Sequence, residues 1–146
     1  MAIAMLYLFG PSKNRGFPPQ KGKCPFKDGI MRKLTHRGII LGTEESTVDI
    51  CGIDSMVLSA TGGRVTDVIR LNYTMYISIR VDTTIYTYAD IDRPLVQERQ
   101  MIKAGQPIAI AREKRIAFFV SNYLNKIFRN PDGYVDCVCE LPKPTQ

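Results

Sequence analysis

Along residues 74–89 apolar and polar side chains alternate. Met75, Ile77 and Ile79 fall on one face of one run, and Tyr86 and Tyr88 on another face in the next. Period two is the signature of a β-strand, whose successive side chains point to opposite sides. Shorter pieces of the same texture run from 38 to 111. Gly38–Leu41 and Val48–Cys51 predict strands around a turn at 42–46. Met56–Ala60 leads into Thr61-Gly62-Gly63, a hairpin signal, and Arg64–Leu71 alternates although Val68 breaks the pattern. Leu95–Val96 and Met101–Ile102 fit a short strand pair, Gly105-Gln106-Pro107 a turn, and Ile108–Ala111 a further strand. Short strands at this spacing predict a mainly β fold: a sandwich or barrel of short antiparallel strands with little helix.

Two regions read differently. Ile116, Phe119, Val120, Tyr123, Leu124 and Ile127 follow a helical period, while Ile116, Phe118 and Val120 alternate as a strand would. On periodicity alone the helix wins. Asn130–Gly133 is a turn, and Tyr134–Leu141 predicts a last strand. Residues 10–35 carry eight Gly and Pro with no period, which predicts loop. Ala2–Leu8 predicts a first strand. It is too short to cross a bilayer and shows neither a basic n-region nor a cleavage site, so no signal peptide is visible.

Charge sharpens the division. Of the 20 Lys and Arg, eight lie in residues 1–37 against the single acid Asp28. The rest of the chain is nearly balanced. The expected organisation is therefore a strand plus basic Pro/Gly-rich arm over 1–34 and a β domain over 35–146, with the arm suited to a polyanion. The cysteines Cys24, Cys51, Cys137 and Cys139 read most simply as thiols in a reducing compartment. One disulfide between distant segments would need export, and its connectivity cannot be assigned from sequence. No Cys-x-x-Cys pair suggests a thiol-bound metal.

The order of pieces over 35–135 resembles the lysostaphin-type (LytM-like) zinc endopeptidases, which cut peptide cross-bridges in peptidoglycan. His36-Arg37-Gly38-Ile39-Ile40-Leu41 resembles the family's His-x-Gly-Ile-Asp segment, and 54–65 its Gly-rich hairpin. Met75–Arg80 and Tyr86-Thr87-Tyr88-Ala89-Asp90-Ile91 resemble its two central strands. Ile102–Ala109 matches its Val-x-x-Gly-Gln-x-Ile-Ala hairpin, and Arg115-Ile116-Ala117-Phe118 stands where His-x-His-Phe belongs. The resemblance implies a duplicated-hybrid-motif β fold and favours a strand at 116–121 over the helix.

It also implies a zinc held by two His and one Asp, with further His for catalysis. This chain has one histidine, His36, at the first ligand position. Ile40 replaces the Asp, and Val81, Asp90, Arg115 and Ala117 stand at or near the remaining positions. One imidazole among apolar and cationic neighbours cannot hold Zn²⁺. No cofactor is therefore expected, zinc included.

The resulting expectation is a non-catalytic LytM-like domain, in the cell envelope or outside the cell. It would bind peptidoglycan or regulate a cell-wall hydrolase through a groove lined by Tyr73, Tyr86, Tyr88 and Arg115. The alternative is an active metallopeptidase whose metal site is rebuilt from Cys51, Asp90 or Asp92. A biotinyl-type carrier is disfavoured because Lys103 sits in the wrong context, and a phosphotransferase because it needs two histidines. Nucleic-acid binding has only the arm's charge behind it.

Overall fold

The computed structural model describes residues 21–33 and 47–139; His36, Ile40 and the predicted strands at 2–8 and 38–41 lie outside them. Thirteen strands are described. They are β1 (Gly22–Lys23), β2 (Ile30–Lys33), β3 (Thr47–Cys51), β4 (Met56–Leu58), β5 (Gly63–Leu71), β6 (Thr74–Val81), β7 (Thr84–Pro94), β8 (Met101–Ile102), β9 (Pro107–Ala111), β10 (Arg115–Asn122), β11 (Phe128–Arg129), β12 (Val135–Asp136) and β13 (Val138–Cys139). Two 3₁₀ turns, η1 (Arg112–Lys114) and η2 (Pro131–Gly133), complete the described elements.

The large sheet runs β13-β2-β3-β10-β7-β6-β5-β8, with β11 added to β10 and β9 bridging β4 and β7. β1 and β12 form a separate parallel pair. Strands β5, β6 and β7 are a meander in the predicted places. Its turns are made by Asn72 and Asp82, at φ of 54° and 51°, a left-handed conformation that short polar side chains tolerate.

The long strand β7 changes partner halfway. Thr84–Ala89 pairs with β10, and Ile91–Pro94 pairs with β9. Between them Asp90 takes φ 66°, a kink that turns one edge of the strand from one neighbour to the other.

Ile77 lies opposite Tyr88 and Ile79 opposite Tyr86, so the aliphatic and aromatic positions share one core rather than two faces. Ile116, Phe118 and Val120 join them, each fully buried. Tyr88 is fully buried, its ring tilted against that of Phe118 with the centroids 5.3 Å apart. Its hydroxyl accepts a 2.9 Å bond from the Ala60 amide.

Residues 115–122 are strand, as the family order requires and against the helical count. Three local expectations do not hold. The signal at 59–63 is not a hairpin, because β4 pairs with β9 while β5 pairs with β6 and β8. Leu95–Val96 pairs with nothing as a strand; only Met101–Ile102 does, against Gly63–Arg64. The last strand is broken into β12 and β13.

The described part of the arm is not all loop, since β1 and β2 flank the turn at 24–29. β2 adds to the sheet beside β3 and β13, and Phe26 and Met31 are buried in the core. Gly52 lets this happen, since a Cβ there would collide with the Phe26 ring. A disulfide between Cys24 and Cys137, with Cα atoms 4.9 Å apart, joins this segment to the C-terminal strands. The free-thiol reading therefore holds only for Cys51 and Cys139.

Candidate functional site

The central strands have a second face, set by the register. Arg115, Ala117 and Phe119 alternate with the core residues of β10. Ala117 lies between Asp49 of β3 and Ala89 of β7, and Ala89 is opposite Tyr76 of β6. In the next row Phe119 is followed by Thr87, Ser78 and Asp67. The middle of this face is small side chains, and Ala89, Ala117, Ser78 and Thr87 are all buried. Ser78 Oγ and Thr87 Oγ1 bond to each other at 2.9 Å, which satisfies both hydroxyls away from water. This line of small side chains between longer residues, termed the trough, is itself shielded from solvent. The phenol of Tyr76 borders it, its pKa raised by burial and by the nearby Asp67 carboxylate.

One end of the trough is cationic. Arg115 stands opposite Cys51, and Arg32 Nη2 lies 3.4 Å from the Cys51 Sγ. Arg115 makes a 3.4 Å surface pair with Glu113, and its Nε is buried without a hydrogen-bond partner. Such an exposed pair contributes little. Arg112 Nη2 donates 2.9 Å to the Tyr73 carbonyl, tying the 72–73 turn to η1. The Tyr73 ring itself is 84% exposed.

The positions inferred from the family resemblance fall as follows. Arg115 and Ala117 share the trough face, and Asp90 sits at the kink of β7 beside them. Val81 packs against the core from the end of β6, on the other face. Tyr86 and Tyr88 do not line a groove. Both are buried on the core face, which burial marks by pushing the Tyr86 phenol up to about 12, and the Tyr88 phenol higher. Period two alone leaves the choice of face open, and cross-strand register with Ile77 and Ile79 decides it. Of the tyrosines expected in the groove, only Tyr73 is exposed. Reading by motif missed Arg32, Ser78 and Thr87, because only pairing across strands brings them to this face.

The donor set of the described residues does not fit a catalytic zinc. Among the described residues no three His, Cys, Asp or Glu side chains are grouped to hold a metal. At the two positions where the resemblance calls for imidazoles, the described residues are the guanidinium of Arg115 and the buried methyl group of Ala117. No described helix is long and apolar enough to cross a membrane.

At the level of sequence no family profile and no curated protein matches this chain. Solved structures do. A chain of the SpoIIQ–SpoIIIAH pore-forming complex is similar over 80% of this chain and 92% of its own, with TM-score 0.59 and 12% identity. The catalytic domain of the prophage-encoded M23 protein EnpA from Enterococcus faecalis is similar over 68% of this chain and 85% of its own, with TM-score 0.55 and 17% identity. Lysostaphin is similar over 67% of this chain and 49% of its own, with TM-score 0.52 and 17% identity. This chain spans only 31% of a zinc-containing peptidase from Vibrio cholerae to which it is also similar. These likenesses support the conclusion that the chain has the lysostaphin-type, LytM-like peptidase fold, in a degenerate form that lacks most of the metal ligands.

Proposed function

We propose that this chain is a non-catalytic LytM-fold domain that binds peptidoglycan, or a protein that works on it, through the trough on the second face of β10, β7 and β6. The observation that carries the reading is β10 itself: an intact strand in an intact sheet, with Arg115 and Ala117 on one face, where the resemblance calls for the metal-holding histidines. A guanidinium there repels a metal cation and attracts a carboxylate, which cell-wall peptides carry. Arg112 and the exposed Tyr73 extend that end of the trough. The Cys24–Cys137 disulfide supports a place outside the cytosol, because such bonds persist in oxidising compartments. The likeness to a chain of a pore-forming complex supports a protein as the alternative partner.

The test is co-sedimentation with isolated peptidoglycan at low and moderate salt. It compares the full chain, a chain lacking residues 1–20, and the variants Arg115→Ala and Tyr73→Ala. The deletion stops short of β1 so that Phe26 and the disulfide stay in place. Retention that survives salt and deletion but falls in both variants supports recognition at the trough. Retention lost with salt or with the arm reduces it to charge attraction. One equivalent of zinc in the purified protein would overturn the non-catalytic reading.

A further inference from the structure

The strand register puts two turns together at the end of the molecule remote from Arg115. One is the 82–83 turn of β6 and β7, and the other is the 123–127 loop between β10 and β11. The Tyr123 amide donates 2.6 Å to the Thr83 carbonyl and joins them. The loop is firmly built. Asn122 Oδ1 accepts from the amides of Leu124 and Asn125 at 2.8 and 3.2 Å, and Asn125 Oδ1 accepts from Ile127 at 3.0 Å. The Asn122 amide donates to the Ile127 carbonyl, and the Lys126 amide to the Asn122 carbonyl.

This frame holds apolar side chains out in solvent. Leu124 is 73% exposed, Ile127 58% and Tyr123 37%. Exposed apolar residues scattered singly need no explanation, but three on a five-residue loop do. Cations accompany them. The Arg80 guanidinium lies 3.5 Å from the centre of the Tyr123 ring, with the Lys126 ammonium 4.8 Å from it. Arg129 is exposed on β11, and Asp82 is the one acid in the two turns.

We infer that this end of the molecule is a membrane-surface contact, taking anionic phospholipid headgroups through Arg80, Lys126 and Arg129 with Leu124 and Ile127 inserted below them. Apolar tips with an aromatic ring and long cationic stems at headgroup level are what an interfacial segment needs. Charge complementarity selects the anionic surface. A protein partner fits less well, since a stable protein interface covers roughly 800 Å² on each side and this projection is a single loop. The inference is independent of what the trough binds, because the two lie at opposite ends of the strands.

The experiment is sedimentation of the full chain with phosphatidylcholine vesicles, with and without phosphatidylglycerol. Binding is expected only with phosphatidylglycerol present. Leu124→Ser together with Ile127→Ser is expected to weaken it by about tenfold or more, since two inserted side chains are lost. Arg80→Gln with Lys126→Gln is expected to weaken it by a comparable factor. The chain has no Trp, so Leu124→Trp supplies a single reporter whose emission should shift to the blue on vesicle addition. Ile53→Trp, exposed near the other end, should not respond. No binding to the anionic vesicles overturns the inference and leaves a protein partner. Binding that ignores the apolar double variant, with no shift at position 124, also overturns it and assigns the attraction to basic residues elsewhere.

Discussion

The two faces of β10 present opposite chemistry from one backbone. On the core face Ile116, Phe118 and Val120 are completely buried against Tyr86, Tyr88 and Ile77. On the other face Arg115 and Ala117 stand where the resemblance to zinc endopeptidases calls for histidines. The core face carries the stability of the fold, since large apolar side chains contribute in proportion to the area they remove from water. The other face, where recognition is proposed, has a floor of small side chains that adds less buried area. A LytM-like scaffold can therefore lose its metal chemistry and keep its shape, because the two properties sit on alternate residues of the same strand.

Substitutions on the two faces test that separation. Phe118→Ala is expected to destabilise the chain most, by about 3–5 kcal/mol, through lost burial and the cavity left beside Tyr88. Urea unfolding measures it, and a loss below about 1 kcal/mol would mean that the core face is not where stability lies. Replacing Cys24 and Cys137 together by Ser should cost about 2–5 kcal/mol, because the bond closes a long loop. Cys51→Ser should leave stability nearly unchanged under the same conditions.

Tyr88→Phe keeps the ring but removes the acceptor of the Ala60 amide, at an expected cost of about 1–3 kcal/mol. The same tyrosines set an alkaline limit. Burial raises the Tyr86 phenol from 10.0 to about 12, so the folded chain holds a proton that the unfolded chain releases. Stability from this source is complete below pH 10 and is lost as pH rises towards 12. Thermal unfolding across that range should show a steady fall, and a flat profile would contradict the burial of Tyr86.

The smallest expected effect is the most informative. Arg115→Ala should change unfolding stability by no more than about 0.5 kcal/mol, as an exposed surface pair implies. The same variant should lose retention on peptidoglycan. A large loss of stability instead would show that the guanidinium is a structural member of the sheet.

Sequence alone determined the strand content and the order of the central pieces, because period two is a local property of each strand. Val48–Cys51, Arg64–Leu71, Thr74–Val81 and Thr84–Ala89 were all legible in that way. The departures from the zinc-peptidase pattern were legible too, since a histidine count needs no coordinates. Residues 116–127 were ambiguous for a physical reason. The strand ends at Asn122, and Tyr123, Leu124 and Ile127, which completed the helical spacing, are apolar residues exposed on the following loop.

Tertiary structure decided the rest. Pairing of β4 with β9 rather than β5 depends on segments some fifty residues apart, which no turn signal encodes. Cys24 and Cys137 become neighbours only once β1 lies beside β12. Register decided that Tyr86 and Tyr88 point into the core while Arg115, Ala117, Ser78 and Thr87 meet on the opposite face. A one-residue shift of register exchanges the two faces of a strand. The periodicity states that two faces exist, and only the assembled sheet determines which one is the core.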